Sequence, residues 1–193
     1  MSEDWEAKRK AQEWLILLVL GAAPEREISM LHLEKEVFLL WKFHPSIPQF
    51  ITFVAYQRGP YSSEIRDAIT APYYLTEEWE YRPPTKKDDL TGGFVFLTLD
   101  GIKKYKDYYA KMLKKEDMRS LLAGIRIVRT TYDELSPEEL LLLIYDTYPD
   151  FRTKSEVAKE IYDQRDKIVE KLYKRGIVSE SKAEYLKEAK WYS

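Results

Sequence analysis

Side chains that could bind a metal ion or transfer a proton are few in this sequence. His32 and Glu36 stand four residues apart, a spacing that places two side chains on one face of a helix. A zinc or iron site needs at least one more ligand. The chain has only two histidines, His32 and His44, and no cysteine. The pair therefore predicts an ordinary helix contact, and we expect neither a metal ion nor a cofactor.

Patterns typical of enzymes are also missing. The sequence contains no glycine-rich phosphate-binding loop and no nucleophile elbow. Adjacent acids such as Glu138 and Glu139 are explained by helix capping or by solvation. A metal-dependent nuclease is a remote alternative, because its carboxylates would have to converge from separate segments on one site. The sequence favours a non-enzymatic protein that binds another macromolecule.

Charge is distributed unevenly along the 193 residues, whose formal net charge is −2. Residues 102–130 hold nine basic and three acidic side chains, a net charge of +6 that leaves −8 for the rest. This balance excludes a uniformly basic nucleic-acid-binding protein. Two interpretations of the basic segment stay open, namely a stripe that follows phosphates and a solvated helix face.

The elements that carry these residues begin with helices. Ser2 or Asp4 caps a first helix that runs to Leu20, with Gly21 as its stop. Ser29 caps a second helix, which Pro45 closes. Residues 50–56 fit either a strand or a helix. The Arg-Gly-Pro-Tyr sequence at 58–61 predicts a turn, since glycine permits unusual dihedral angles and proline fixes the next one.

Residues 62–115 complete the first half of the chain. A serine caps a short third helix that ends before Pro72, and strands are predicted over 79–82 and 93–97 with a polar loop between them. Thr98 caps a fourth helix. The order of three helices, a strand, a long turn and a strand is that of a winged helix.

The second half is predicted to be helical. Ser136-Pro137 with Glu139 forms a capping box, a long helix runs from Thr153 or Ser155 to Arg175, and a last helix follows. The fold class is therefore mainly α with a small β-hairpin. The prediction places a winged-helix-like domain over residues 1–115 and a helical region over 116–193, with one continuous domain as the alternative.

The surfaces that would read DNA are nearly neutral. In a DNA-binding winged helix the third helix enters the major groove, but here Arg66 is accompanied by Glu64 and Asp67. The predicted wing contains Lys86 and Lys87, but Asp88 and Asp89 follow them directly, so its net charge from these four residues is zero. We therefore favour a protein partner and keep a DNA-binding transcriptional regulator as the alternative. That alternative assigns nucleic-acid contacts to Ser63, Arg66, Thr70, Lys86, Lys87, Lys103, Lys104, Lys111 and Lys114.

Three segments carry a resemblance to a known family. They are LHLEKEVFLL at 31–40, RGPYS at 58–62 and FLTLDG at 96–101. Between these positions the chain resembles the YwgA-like proteins and the SocA-like antitoxins with the Panacea domain. In that family a lysine-bearing helix precedes a Gly-Pro-Tyr-Ser turn, and a Leu-Thr-x-x-Gly step follows a strand. The resemblance implies an antitoxin, adaptor or regulator whose partner-binding residues are Lys35, Arg58, Gly59, Pro60, Tyr61 and Ser62.

Composition adds three further expectations. Cysteine and asparagine are absent, glutamine occurs four times, and lysine and glutamate are plentiful, which predicts a thermophilic source. The first ten residues lack the apolar core of a secretion signal, and the apolar run 14–23 is shorter than the roughly 20 residues that span a bilayer. We expect a cytoplasmic protein with no membrane partner. The wide apolar faces of the first and last helices suit a homodimer.

Overall fold

The computed structural model describes residues 2–86 and 89–189. The chain is mainly helical, as predicted, with 62% helix and 9% strand. Its helices are α1 Glu3–Gly21, α2 Met30–Phe43, α3 Ser63–Thr70, α4 Leu99–Met112, α5 Glu116–Tyr132, α6 Pro137–Thr147, α7 Ala158–Asp163, α8 Arg165–Lys174 and α9 Glu180–Glu188. Its strands are β1 Ile28–Ser29, β2 Val54–Tyr56, β3 Gly59–Tyr61, β4 Trp79–Arg82 and β5 Phe94–Leu97. No helix in the described part of the chain has the length and apolar character needed to cross a membrane.

The chain divides into two compact units. The N-terminal unit comprises Met1–Phe53 and Ser62–Glu134, and the C-terminal unit comprises Val54–Tyr61 and Leu135–Ser193. This division differs from the boundary predicted at residue 115. Helix α5 packs in the N-terminal unit, and the β2–β3 hairpin, which comes early in the sequence, belongs to the C-terminal unit.

The N-terminal unit contains an antiparallel sheet with the strand order β1-β5-β4. Ile28 pairs with Val95 at one side of β5, and Trp79 pairs with Leu97 at the other. Strands 79–82 and 93–97 were predicted and are confirmed within one residue. The additional strand β1 was not predicted, because two residues are too few to display an alternating pattern.

The core of the N-terminal unit is built around α1 and α2. The apolar run of α1 from Leu15 to Leu20 is buried, as its density predicted. Gly21, predicted to stop the helix, is the last residue of α1. Its role is steric, since a side chain there would overlap the ring of Tyr105.

The Leu-Thr-x-x-Gly sequence that precedes α4 has a physical explanation. The Thr98 hydroxyl accepts a hydrogen bond from the Gly101 amide at 3.0 Å and so caps the helix. A side chain at Gly101 would overlap the backbone carbonyl of Glu78. Glycine at this position therefore lets the first turn of α4 pack directly against Glu78, the residue that precedes β4.

The C-terminal unit joins the β2–β3 hairpin to helices α6–α9. The Gln57 carbonyl accepts a hydrogen bond from the Glu156 amide at 2.9 Å, and the predicted capping box of Ser136 with Glu139 is present. The long helix predicted to end at Arg175 is instead two helices, α7 and α8. The break falls at Gln164, whose φ of −98° and ψ of 3° interrupt the helical backbone.

Gly59, in strand β3, lies against the Tyr145 ring of α6, and this close packing leads to a stability prediction. Its φ is +82°, and an added Cβ would lie 3.0 Å from the Tyr145 ring. Gly59→Ala should therefore lower the free energy of unfolding by about 2–3 kcal/mol, through backbone strain and crowding together. Gly176, with φ +68° and open space around it, is the matched control. Urea denaturation should show a smaller loss of unfolding free energy for Gly176→Ala than for Gly59→Ala. Equal losses would mean that crowding against Tyr145 contributes nothing.

Candidate functional site

The polar groups of α3 are used within the N-terminal unit. The Ser63 hydroxyl donates to Glu64 Oε2 at 3.2 Å, and Glu64 Oε1 accepts the Thr52 amide at 3.2 Å. The Thr70 hydroxyl donates to the Arg66 carbonyl at 2.9 Å, inside the same helix. The hydroxyls of Ser63 and Thr70 are thus hydrogen-bonded within the unit, and the carboxylate of Glu64 lies on the same helix as Arg66.

The lysines of α4 do not form one phosphate-facing stripe. Three of them share a cleft of about 490 Å³ with four carboxylates. These side chains are Lys103, Lys104 and Lys111 with Glu77, Glu78, Asp100 and Asp107. Lys104 forms an ion pair with Glu78. Lys86 and Lys114 are exposed, and Lys87 lies outside the described residues. The cleft therefore balances its cations with acids, which weakens it as a site for nucleic acid.

Most of the partner-binding residues implied by the family resemblance are buried. Lys35 is 1% exposed, and its ammonium lies 3.3 Å from Glu34 Oε2. Gly59, Pro60 and Ser62 are buried, whereas Arg58 and Tyr61 are half-buried. These burials give the residues packing roles in the folded chain, and they leave Arg58 and Tyr61 as the accessible members of the set.

His32 and Glu36 do not converge on a common ligand. The Nδ1 atom of His32 lies 2.8 Å from the Ser29 hydroxyl, while Glu36 binds the guanidinium of Arg129. Among the described residues there is no group of three His, Cys, Asp or Glu side chains placed to hold a metal ion.

A buried charge network links α2 to α5. Arg129 Nη1 lies 3.2 Å from Glu36 Oε1 and 2.7 Å from Asp133 Oδ1. Arg26, at the surface, reaches the other oxygen of Asp133 at 3.0 Å. Burial raises the pKa of Glu36 to about 8, although Arg129 opposes the shift. The Nε and Nη2 atoms of Arg129 are buried without a hydrogen-bond partner among the described residues, so this network costs desolvation that its contacts offset only in part.

A second buried carboxylate holds the segment that follows α3. Glu13, in the apolar half of α1, is fully buried. It accepts hydrogen bonds from the backbone amides of Tyr73, Tyr74 and Leu75 at 2.7–2.8 Å, and from Arg9 Nε at 2.9 Å. Sequence reasoning missed this residue. Its only sequence signal is an acid placed just before a dense apolar run.

One surface feature combines apolar area with lysine side chains along its rim. A groove of about 580 Å³ runs along α1 and is bounded by α4 and the start of α5. We call it the lysine-rimmed groove. It is lined by Ala7, Lys10, Ala11, Trp14, Leu15, Leu18, Ser46, Phe50, Tyr108, Lys111, Met112, Lys115, Met118 and Leu121. Grooves of this size with mostly apolar walls and a few polar groups are typical of binding sites.

The floor of the lysine-rimmed groove is part of the folded core. Leu15, Leu18 and Leu121 are less than 9% exposed. Trp14 and Tyr108 are half-buried, and their ring centroids lie 3.9 Å apart. Because the floor residues also pack beneath the surface, the groove is preformed and a ligand does not have to order it on binding.

The charges of the groove are of one sign. Among the described residues that line it, three are lysines and none is acidic. No ion pair within residues 2–86 and 89–189 includes Lys10, Lys111 or Lys115. The Lys10 ammonium lies 6.0 Å from the ring centroid of Tyr74. Lys111 also borders the cleft that contains Asp107 and Glu78, whereas Lys10 and Lys115 line the groove and not that cleft. A rim of this charge complements an apolar ligand that carries negative charge.

The sequence contains one signal for the α1 side of this groove. Positions 7, 11, 14 and 18 repeat at helical spacing on α1. The same spacing also describes a core-facing stripe, and nothing in the sequence places α4 beside it. Lys111 was predicted to contact nucleic acid because it belongs to the basic segment 102–130.

Comparison with known proteins gives no family. The chain matches no protein-family model, and no curated protein matches it significantly.

Proposed function

We propose that this chain is a non-enzymatic regulatory or adaptor protein that binds another protein through the lysine-rimmed groove. The single observation that carries the proposal is the combination of a preformed apolar floor with three lysines and no acid among the described lining residues. Exposed apolar surface rimmed by charge is typical of protein-binding sites.

We further propose that the N-terminal unit is a winged-helix-like module. Its order α1-β1-α2-α3-β4-β5, with the sheet order β1-β5-β4, supports this arrangement. The segment between β4 and β5 then corresponds to the wing. Winged helices bind either DNA or protein, so the fold alone does not decide the partner.

Two features support a protein partner over DNA. The Ser63 and Thr70 hydroxyls and the Glu64 carboxylate of α3 are hydrogen-bonded within the unit, and three lysines of the 102–130 segment share a cleft with four carboxylates. The resemblance to SocA-like antitoxins points the same way, because an antitoxin-like regulator acts by holding a partner protein.

A charge introduced into the groove tests the proposal. Ala11→Glu places a carboxylate on the apolar floor, and Ala110→Glu makes the same change at an exposed position of α4 outside the groove lining. We expect the tagged wild-type chain and Ala110→Glu to capture the same protein from lysate of the source organism. Ala11→Glu should reduce that capture about tenfold or more, since burying an unpaired carboxylate is costly.

DNA binding is measured on the same three proteins. Fluorescence anisotropy with labelled random duplex DNA at low salt should show no micromolar binding. Tight binding with a steep salt dependence, unaffected by Ala11→Glu, would overturn the proposal in favour of a transcriptional regulator. Circular dichroism and thermal denaturation of each variant establish that the comparison is made between folded proteins.

A further inference from the structure

We propose that the occupant of the lysine-rimmed groove is an amphipathic α-helix of the partner, with acidic residues on both sides of its apolar stripe. This inference rests on the proposed function and names the chemistry of the partner. It follows from the length of the groove, the sizes of its lining residues and the positions of its three lysines.

The length of the groove matches a short helix. Its α1 wall extends from Ala7 to Leu18, which at 1.5 Å per residue is about 16 Å, or three helical turns. The small side chains of Ala7 and Ala11 lie in the first half of this wall. Small residues let a second helix approach closely, and the larger rings of Trp14 and Tyr108 then contact its apolar side chains farther along.

The lysines lie on opposite sides of the groove. Lys10 is on the α1 wall, whereas Lys111 and Lys115 are at the end of α4 and in the connection to α5. A helix lying between these walls presents residues from both flanks of its apolar stripe to the lysines. Acids at those flanks complement the rim, as charges beside an apolar seam do in paired helices.

Other occupants fit the groove less well. An added β-strand requires an exposed sheet edge. None of the strands β1–β5 contributes a lining residue to this groove, whose walls are the helices α1, α4 and α5 together with Ser46 and Phe50. A fatty acid brings one carboxylate and leaves two of the three lysines without a counter-charge. The helix is the occupant that uses the apolar floor and the whole rim.

Selection from a peptide library tests the inference without knowledge of the natural partner. Random peptides of 14 residues displayed on yeast are sorted against the full-length wild-type chain. We expect enriched peptides to place apolar residues at helical spacing, to contain an excess of Asp and Glu, and to become helical on binding. Their affinity should fall about tenfold or more for Ala11→Glu and stay unchanged for Ala110→Glu.

Reversal of the rim charge provides a second readout. The triple variant Lys10→Glu, Lys111→Glu and Lys115→Glu should lose the acidic peptides and select helices rich in Lys or Arg instead. Enriched peptides with no excess of acids, peptides that bind as extended chains, or the absence of any enriched peptide would overturn the inference. Tight binding of palmitate in competition with the peptides would assign the groove to a lipid instead.

The two proposals fail in different ways. If no acidic helix is selected but lysate capture still depends on Ala11, the groove binds a protein and the occupant proposed here is wrong. If capture is also insensitive to Ala11→Glu, the proposed function itself is wrong.

Discussion

Replacement of Glu13 by alanine is expected to lower the free energy of unfolding by about 3–5 kcal/mol, a large effect for one side chain. The fully buried carboxylate of Glu13 accepts three backbone amides, from Tyr73, Tyr74 and Leu75, and the guanidinium of Arg9. The substitution leaves the buried Leu75 amide and the buried Arg9 Nε without this acceptor, and a buried donor that loses its acceptor retains its full desolvation penalty. Chemical denaturation of the purified variant measures the loss.

Two variants separate this role from an effect of helix composition. Glu6→Ala makes the same change at an exposed position of α1 and should alter stability by no more than about 0.5 kcal/mol. Glu13→Gln keeps one oxygen as an acceptor and should recover part of the loss. If Glu13→Ala were as mild as Glu6→Ala, the carboxylate would not be holding the segment after α3.

The second large effect concerns the pH dependence of stability. Burial raises the pKa of Glu36 to about 8 from an ordinary value of 4.5. Between these values the folded chain retains a proton that the unfolded chain has released. The contribution of Glu36 to stability is therefore fully present below about pH 4.5, falls as the pH rises and is lost above about pH 8. The slope is at most about 1.4 kcal/mol per pH unit.

Glu36→Gln isolates this contribution, because the amide is neutral at every pH and can still accept a hydrogen bond from Arg129. We expect the variant to gain on the order of 3 kcal/mol relative to the wild type between about pH 5 and pH 8. Urea denaturation of both proteins across this range gives the difference directly. A stability difference that does not change with pH would mean that Glu36 stays ionised beside Arg129.

Local signals predicted the elements well. Ser29, Ser62, Thr98, Ser136 and Ser179 each cap a helix through a hydrogen bond to a backbone amide three residues later. Caps and turns depend on neighbours in the sequence, and a single segment therefore contains the information that specifies them.

Contacts between distant segments were not predictable in this way. Glu13 meets an amide 60 residues away, and Arg129 meets a carboxylate 93 residues away. In the sequence Glu13 precedes an apolar run, and Arg129 counts as one more cation of a basic segment. Only the packing of α1 against the segment after α3, and of α5 against α2, makes both of them buried partners.

The basic segment shows how packing changes the meaning of a charge pattern. Lys103 and Lys104 share a cleft with carboxylates, Lys111 lies between that cleft and the groove, Lys115 borders the groove, and Arg129 is buried. These residues count equally in the net charge of +6, but they occupy three different environments. The positive charge of this segment that a ligand in the groove can reach is therefore that of Lys111 and Lys115.

Photo-crosslinking from inside the groove tests the central claim most directly. A benzophenone amino acid is incorporated at Ala7, which lines the groove and is exposed, or at Ala110, which is exposed outside it. Irradiation in cells of the source organism, followed by mass spectrometry, identifies what is joined to the chain. We predict one predominant protein crosslinked from position 7 and not from position 110. Crosslinks to nucleic acid, or the same proteins from both positions, would contradict a protein-binding groove.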